Sequence, residues 1–267
     1  MTNPYSDLPL LAEPDGFRIE VDADSERGDI VLERPPMNVI SMGQRDQLRA
    51  AFEALDADDR VRVIVLRAEG EHFSSGGYIH GFLDASPEHV SHLADNVAAP
   101  WRCAKPVIAA NKGYTFGVGF EISLACDFRI AAKSTRYALP EQKLGQIPGS
   151  GGSARLQAII GLARTKDVVM RSRRITGQQA HDWGIAVELV EDDALEQATA
   201  DLVDELRSFS PMAQRTAKKL LNDSENATVA IGIELEGHCY SRLRQSEDFA
   251  EGVKAFHEKR KPTFVGR

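Results

Sequence analysis

Apolar and polar residues alternate over Phe17-Arg-Ile-Glu-Val, the period-two pattern of a half-buried strand. After a Glu-Arg-Gly turn, Asp29-Ile-Val-Leu predicts a second strand. The sixteen residues before them carry no such pattern and read as a loose arm. Adjacent prolines exclude regular structure over Arg34-Pro-Pro-Met-Asn. Ser41 then stands as an N-cap before Leu48, Ala51, Phe52 and Leu55, which recur at helical spacing. The mainly apolar runs Val61-Arg-Val-Ile-Val-Leu and Pro106–Ala110 predict buried strands, with a helix between them over about Pro87–Cys103. An apolar helix is expected over Ile122–Cys126 and a strand from Asp127. Beyond Ser153 nearly everything reads as helix: 154–160, 162–171, 176–183, 194–209, 211–221, about 227–244 and 248–258. Strands alternating with helices, followed by helices alone, predict an α/β core with a helical C-terminal part. The expected division is an α/β core over residues 1–200 and a helical region over 201–267.

Composition narrows the class. The chain has 267 residues, 42% of them hydrophobic and 27% charged, ordinary values for a globular protein. Lys and Arg number 32 against 40 Asp and Glu, a net charge of −8. The one dense basic cluster is Lys259-Arg260-Lys261, so no basic stripe offers itself to nucleic acid. Three cysteines, Cys103, Cys126 and Cys239, form no CxxC and no even set, which argues against a disulfide framework and for a reducing, cytoplasmic setting. Cys103 and Cys126 fall at apolar periodic positions and read as core. No signal-peptide pattern opens the chain, and no apolar run approaches the ~20 residues of a membrane span.

Candidate chemistry collects at two glycine loops, Ser74-Ser75-Gly76-Gly77 and Gly117-Val118-Gly119, both at strand exits where α/β folds bind ligands. Glycine lets backbone N–H groups approach a ligand, and two convergent N–H donors make an oxyanion hole. Either loop alone reads equally as a tight turn. Glu121 and Glu141 change the picture. Glu121 opens an otherwise apolar segment and Glu141 follows Ala-Leu-Pro. Carboxyl groups in apolar settings have raised pKa values suited to proton transfer. A helix-dipole charge at Glu121 and a solvated loop position at Glu141 are the plain alternatives. Gly149-Ser-Gly-Gly-Ser-Ala fits G-x-G-x-x-A, but no acidic residue follows about twenty positions on, so helix N-terminal packing is expected there. His89 and His92 lack a third ligand nearby, and no G-x-S-x-G elbow is present.

Three segments in order carry a resemblance: Phe73-Ser-Ser-Gly-Gly, the run Pro106–Asp127, and Pro140–Leu156. With the tail Phe256-His-Glu-Lys-Arg-Lys-Pro-Thr-Phe, they resemble the crotonase (enoyl-CoA hydratase/isomerase) superfamily over about Phe17 to the end. The resemblance implies an α/β fold, a crotonase-type β-β-α superhelix core with a C-terminal helical trimerisation region. It implies a homo-oligomer, a trimer or dimer of trimers, acting on an acyl-CoA thioester with no cofactor beyond the coenzyme A of its substrate and no metal. Gly77 and Val118 become the oxyanion-hole donors. Glu121 becomes the group that assists water attack on the β-carbon, and Glu141 the group that delivers a proton to the α-carbon. Met37, Ser75, Tyr78, Ile79 and Lys259 become substrate contacts, Lys259 toward the CoA phosphates of a neighbouring subunit. Tyr78 and Val118 depart from the residues common at their positions, and Val118 is expected to reshape the acyl pocket. The implied activity is hydration of an enoyl-CoA, with a resemblance toward hydratases of methylthioacryloyl-CoA of the dimethylsulfoniopropionate route. That substrate would release methanethiol, with thioester hydrolysis possible. A thioester hydrolase on the same scaffold is the alternative.

Overall fold

The computed structural model describes residues 3–83, 86, 88, 90 and 92–267. Its strands are β1 (Phe17–Asp22), β2 (Arg27–Leu32), β3 (Val63–Ala68), β4 (Val107–Asn111), β5 (Tyr114–Phe116), β6 (Phe128–Ala132), β7 (Arg136–Ala138), β8 (Ile175–Thr176) and β9 (Glu188–Val190). A six-stranded sheet runs β1-β2-β3-β4-β6-β9, and a second sheet runs β5-β7-β8. Only the β1–β2 pairing is antiparallel in the large sheet; from β2 onward neighbours are parallel. The chain leaves the large sheet at β4 and β6 and steps within a few residues onto β5 and β7. That repeated strand–strand step turns the core into a superhelix. Gly113 makes one such corner: its φ is +51°, and a Cβ there would lie 2.1 Å from the Glu71 carbonyl oxygen. No other residue fits.

The continuous apolar run of β3 is explained by burial on both faces. Ile64 and Leu66 face the cluster of Leu48, Phe52 and Leu55 from α1 (Met42–Ala57). Val63 and Val65 face the opposite cluster with Ile108 and Ile130. Burying Phe52 and Leu55 fully contributes about 1.5–3 kcal/mol each relative to exposure. Ser41 caps α1 in a complete capping box with Gln44. Two short helices follow the described part of the 86–92 region, α2 (Leu93–Val97) and α3 (Ala99–Arg102), in place of one long helix. Pro87 and His89 lie outside the described residues, so the His89/His92 pair does too; among the described residues no cluster is placed to hold a metal.

Next come α4 (Val118–Ala125) and α5 (Gly152–Met170), the latter broken at Gly161 where two helices were expected. They are followed by α6 (Gly177–Asp182) and α7 (Leu195–Arg207). The tail consists of α8 (Pro211–Ser224), α9 (Val229–Leu243) and α10 (Glu247–Glu258). Three expectations need correction. The N-terminal arm is docked: Leu11 is fully buried in the core, because its short 3-10 turn presents it to the α1 cluster. Residues beyond Ser153 include β8 and β9, short strands that only sheet pairing defines. The division at 200/201 falls inside α7, whose Leu195, Leu202, Val203 and Leu206 pack on the sheet, so the helical tail starts after it. Buried Lys218 pins that tail to the core, donating to the carbonyls of Pro100 and Lys105 and to Asp127 at 2.7–2.9 Å. Among the described residues no helix is long and apolar enough to cross a membrane.

Candidate active site

The two glycine loops lie against each other. Ser74 N–H donates to the Tyr114 carbonyl and Phe116 N–H returns to the Ser74 carbonyl, both at 2.9 Å. On its other side the first loop is laced to residues 37–40, through Ser75 N–H to Met37 O, Ile40 N–H to Gly76 O and Tyr78 N–H to Ile40 O. In that parallel bridge Gly77 N–H faces away from Ile40, and it meets no backbone acceptor among the described residues. Gly117 takes φ +50° and ψ −127°, a conformation that glycine alone adopts readily, and turns the chain sharply into α4. Val118 is therefore the first residue of a helix, where an N–H has no intrahelical acceptor. Phe120 and Glu121 both donate back to the Gly117 carbonyl at 2.9 Å. Among the described residues, two amides without a backbone acceptor thus stand on adjoining loops. The Val118 side chain itself is buried in the core with Val97 and Ile122, so packing takes it rather than a ligand pocket.

Glu121 projects from α4 to the start of α5. Its Oε1 accepts Ser150 N–H at 2.8 Å and Gly152 N–H at 3.1 Å, and only 3% of the residue is exposed. Burial raises its pKa, while those two donors and the charges of Arg45 and Arg155 pull the other way. Glu141 opens a 3-10 turn, Glu141–Leu144, directly after Pro140. Its Oε1 lies 3.2 Å from where a Cβ on Gly117 would stand, which sets the carboxyl group against the second loop. Its Oε2 is buried without a partner. Burial first, and then the charge of Glu121, push its pKa up to about 7, against its own backbone N–H. Burial thus raises both carboxyl groups, beside two N–H groups without a backbone acceptor among the described residues.

Met37 and Ser75 are half-buried at the first loop, and Tyr78 and Ile79 are exposed just beyond it. Lys259 caps α10 in a left-handed conformation, on the tail, and this chain does not bring it to the carboxylates. Its neighbour Arg260 is already paired with Glu251 and Glu258. Cys103 and Cys126 are core thiols that burial pushes up to about 12. Sequence reasoning missed Arg45, buried on α1 against Gly77, and the Ser150 and Gly152 amides. The amides had a signal in the Gly149-Ser-Gly-Gly run; a lone arginine in an amphipathic helix gives none.

Parallel strands on a β-β-α superhelix, two laced glycine loops, a buried Glu121 and a half-buried Glu141 define a class, and the whole sequence agrees with it. The chain belongs to the enoyl-CoA hydratase/isomerase family, whose model matches residues 26–267. It is 34% identical over 255 residues to a carnitinyl-CoA dehydratase of Salmonella typhi, covering 90% of this chain and 95% of that one. The crystal structure of an enoyl-CoA hydratase from Bacillus anthracis superposes with a TM-score of 0.88 at 30% identity, covering 95% of this chain and all of that one. The protein is an enzyme of the hydro-lyase type on a crotonase fold with a helical C-terminal region.

Proposed function

We propose that the protein adds water across the α,β double bond of an enoyl-CoA thioester, with Glu121 and Glu141 as its acid–base pair. The observation that carries this is the shared setting of the two carboxyl groups: each is raised by burial, and each stands beside a loop with an unused N–H. The thioester carbonyl accepts from Gly77 and Val118 N–H. A water held between the glutamates attacks the β-carbon with Glu121 as base. The enolate oxygen then gains charge against the two amides, and Glu141 returns a proton to the α-carbon. Met37, Ser75, Tyr78 and Ile79 border this pocket by their place at the first loop, and Lys259 meets the CoA phosphates from a neighbouring subunit.

Among acyl groups, methylthioacryloyl-CoA comes from the motif resemblance and carnitinyl-CoA from the relative's name. The methylthio compound would hydrate to a hemithioacetal that collapses with loss of methanethiol. Self-association of the tail is supported by its exposed apolar residues, among them Leu221, Val229, Ile233 and Phe256. A groove of about 460 Å³ along Tyr240, Leu243, Phe249, Val253 and Phe264 adds to that surface. A panel of enoyl-CoA thioesters tests the activity, scored in parallel for loss of enoyl-thioester absorbance and for free thiol. Absorbance loss without thiol is the expected result for simple enoyl thioesters, and absorbance loss together with methanethiol for the methylthio compound; release of coenzyme A with the double bond intact would make the protein a thioester hydrolase instead.

A further inference from the structure

Among the described residues, the buried cations Arg129, Lys105 and Lys218 are satisfied by carbonyls or carboxylates, and Arg45 is not. Buried Arg129 donates to the carbonyls of Ile185, Ser123 and Cys126. Buried Lys105 donates to two carbonyls, and buried Lys218 holds Asp127. Arg45 is as buried as these, 5% exposed, yet its guanidinium makes no hydrogen bond or ion pair to any described residue. Its neighbour Gln44 is spent on the capping box and on Arg34 and Gly16. Arg45 is left with a free fork.

Its location gives that fork a purpose. One guanidinium nitrogen, Nη2, lies 3.1 Å from where a Cβ on Gly77 would stand, and the Phe82 ring faces the cation at 6.0 Å. A side chain at position 77 would collide with Phe82, at 2.6 Å, and with the guanidinium, so glycine there keeps this corner open. Glu121 is the carboxylate whose charge acts on Arg45. The cation therefore sits beside Gly77 and within electrostatic reach of the buried Glu121.

We infer that Arg45 is an anion subsite for the acyl chain, and that the preferred thioester carries a carboxylate on its acyl group, away from the thioester carbonyl. The inference rests on the hydratase reading for the reaction but not for the binding. Thioester oxygen charge already has two N–H donors, whereas the planar fork of an arginine, with Nε and Nη unspent, matches a carboxylate in two parallel hydrogen bonds. A cationic acyl group, such as one bearing the quaternary ammonium of carnitine, meets repulsion at the same place.

Calorimetry with glutaryl-CoA and butyryl-CoA, saturated thioesters that cannot be hydrated, reads this subsite directly. Wild-type protein should bind glutaryl-CoA about tenfold more tightly than butyryl-CoA, or better. Arg45→Met should bring that ratio close to one, and Arg45→Lys should restore part of it. Equal or tighter binding of butyryl-CoA by the wild type overturns the inference, whether or not the methionine variant folds. So does an Arg45→Met protein that weakens both ligands by the same factor. Hydration of glutaconyl-CoA and crotonyl-CoA, run alongside, tests the reaction separately. A glutaryl-CoA preference that Arg45→Met abolishes, without hydration of either enoyl thioester, supports the subsite and overturns the hydratase reading.

Discussion

Glu121 and Glu141 stand in two differently built parts of one site. Glu121 belongs to a regular helix, and two amides at the start of α5 fix one of its oxygens. Glu141 belongs to a single 3-10 turn, and its Oε2 is buried with no partner. Burial is the leading cause of a raised pKa at both. What differs is how each charge is accommodated. A carboxylate with oriented donors is held in one direction as an anion, whereas a carboxyl group with an unspent oxygen readily holds and releases a proton. The comparison assigns base to the first and acid to the second.

The largest expected effects come from the carboxyl groups themselves. Glu121→Gln and Glu141→Gln should each lower hydration turnover by about 10²–10⁴-fold while acyl-CoA still binds. Glu121→Ala should in addition cost about 1–3 kcal/mol of stability in chemical denaturation, because it strands the Ser150 and Gly152 amides. Equal stability of Glu121→Ala and Glu141→Ala would erase the distinction drawn here. Val118→Pro comes next. Proline is well tolerated at the first position of a helix, so it deletes the N–H with little else. It should cost about 10²–10³-fold in kcat beyond the loss seen in Val118→Ala. A proline variant that matched the alanine variant would remove Val118 from the oxyanion hole.

Smaller effects sharpen the contrast. A Cβ on Gly152 would press on Glu121, 2.9 Å from Cγ and 3.1 Å from Oε1, while one on Gly149 would meet open space. Gly152→Ala should therefore lower kcat about tenfold through misplacement of the carboxylate, and Gly149→Ala should leave it unchanged. The smallest concerns pH. With a folded pKa of about 7, Glu141 keeps its proton in the folded protein at pH values where the unfolded chain, near 4.3, has released it. Stability from this group is thus lost as pH rises from about 4.3 to about 7. Glu141→Gln should melt about 2–4 °C higher than wild type at pH 8, a gain of about 1 kcal/mol after discounting for partial exposure, with no gain at pH 4. An unchanged melting temperature at pH 8 would mean that the Glu141 carboxyl is solvated.

Much of this was legible in the chain because periodicity reports burial. The stripe of α1, the two-faced strand β3 and the glutamate in an apolar helix each leave a local pattern. The lost information is non-local. Strands β5, β7, β8 and β9 are two or three residues long and exist because a neighbour pairs with them. The N-terminal arm has no periodicity, yet Tyr5 bonds Asp58 at 2.6 Å across 53 residues. Glu121 was visible as a candidate, but its donors come from about thirty residues downstream. Arg45 was invisible, since a single cation in an amphipathic helix reads as surface until the fold closes Gly77 and Phe82 over it.

The central claim is that the two glutamates work as one unit on a bound enoyl thioester. The direct test is the rate of enoyl-CoA hydration by the wild type, by Glu121→Gln, by Glu141→Gln and by the double variant, all under one set of saturating conditions. Residues that act as a unit are strongly non-additive, so the double variant should be no slower than the slower single variant, within about threefold. A double variant slower by the product of the two single losses, or a single variant near the wild-type rate, would contradict it.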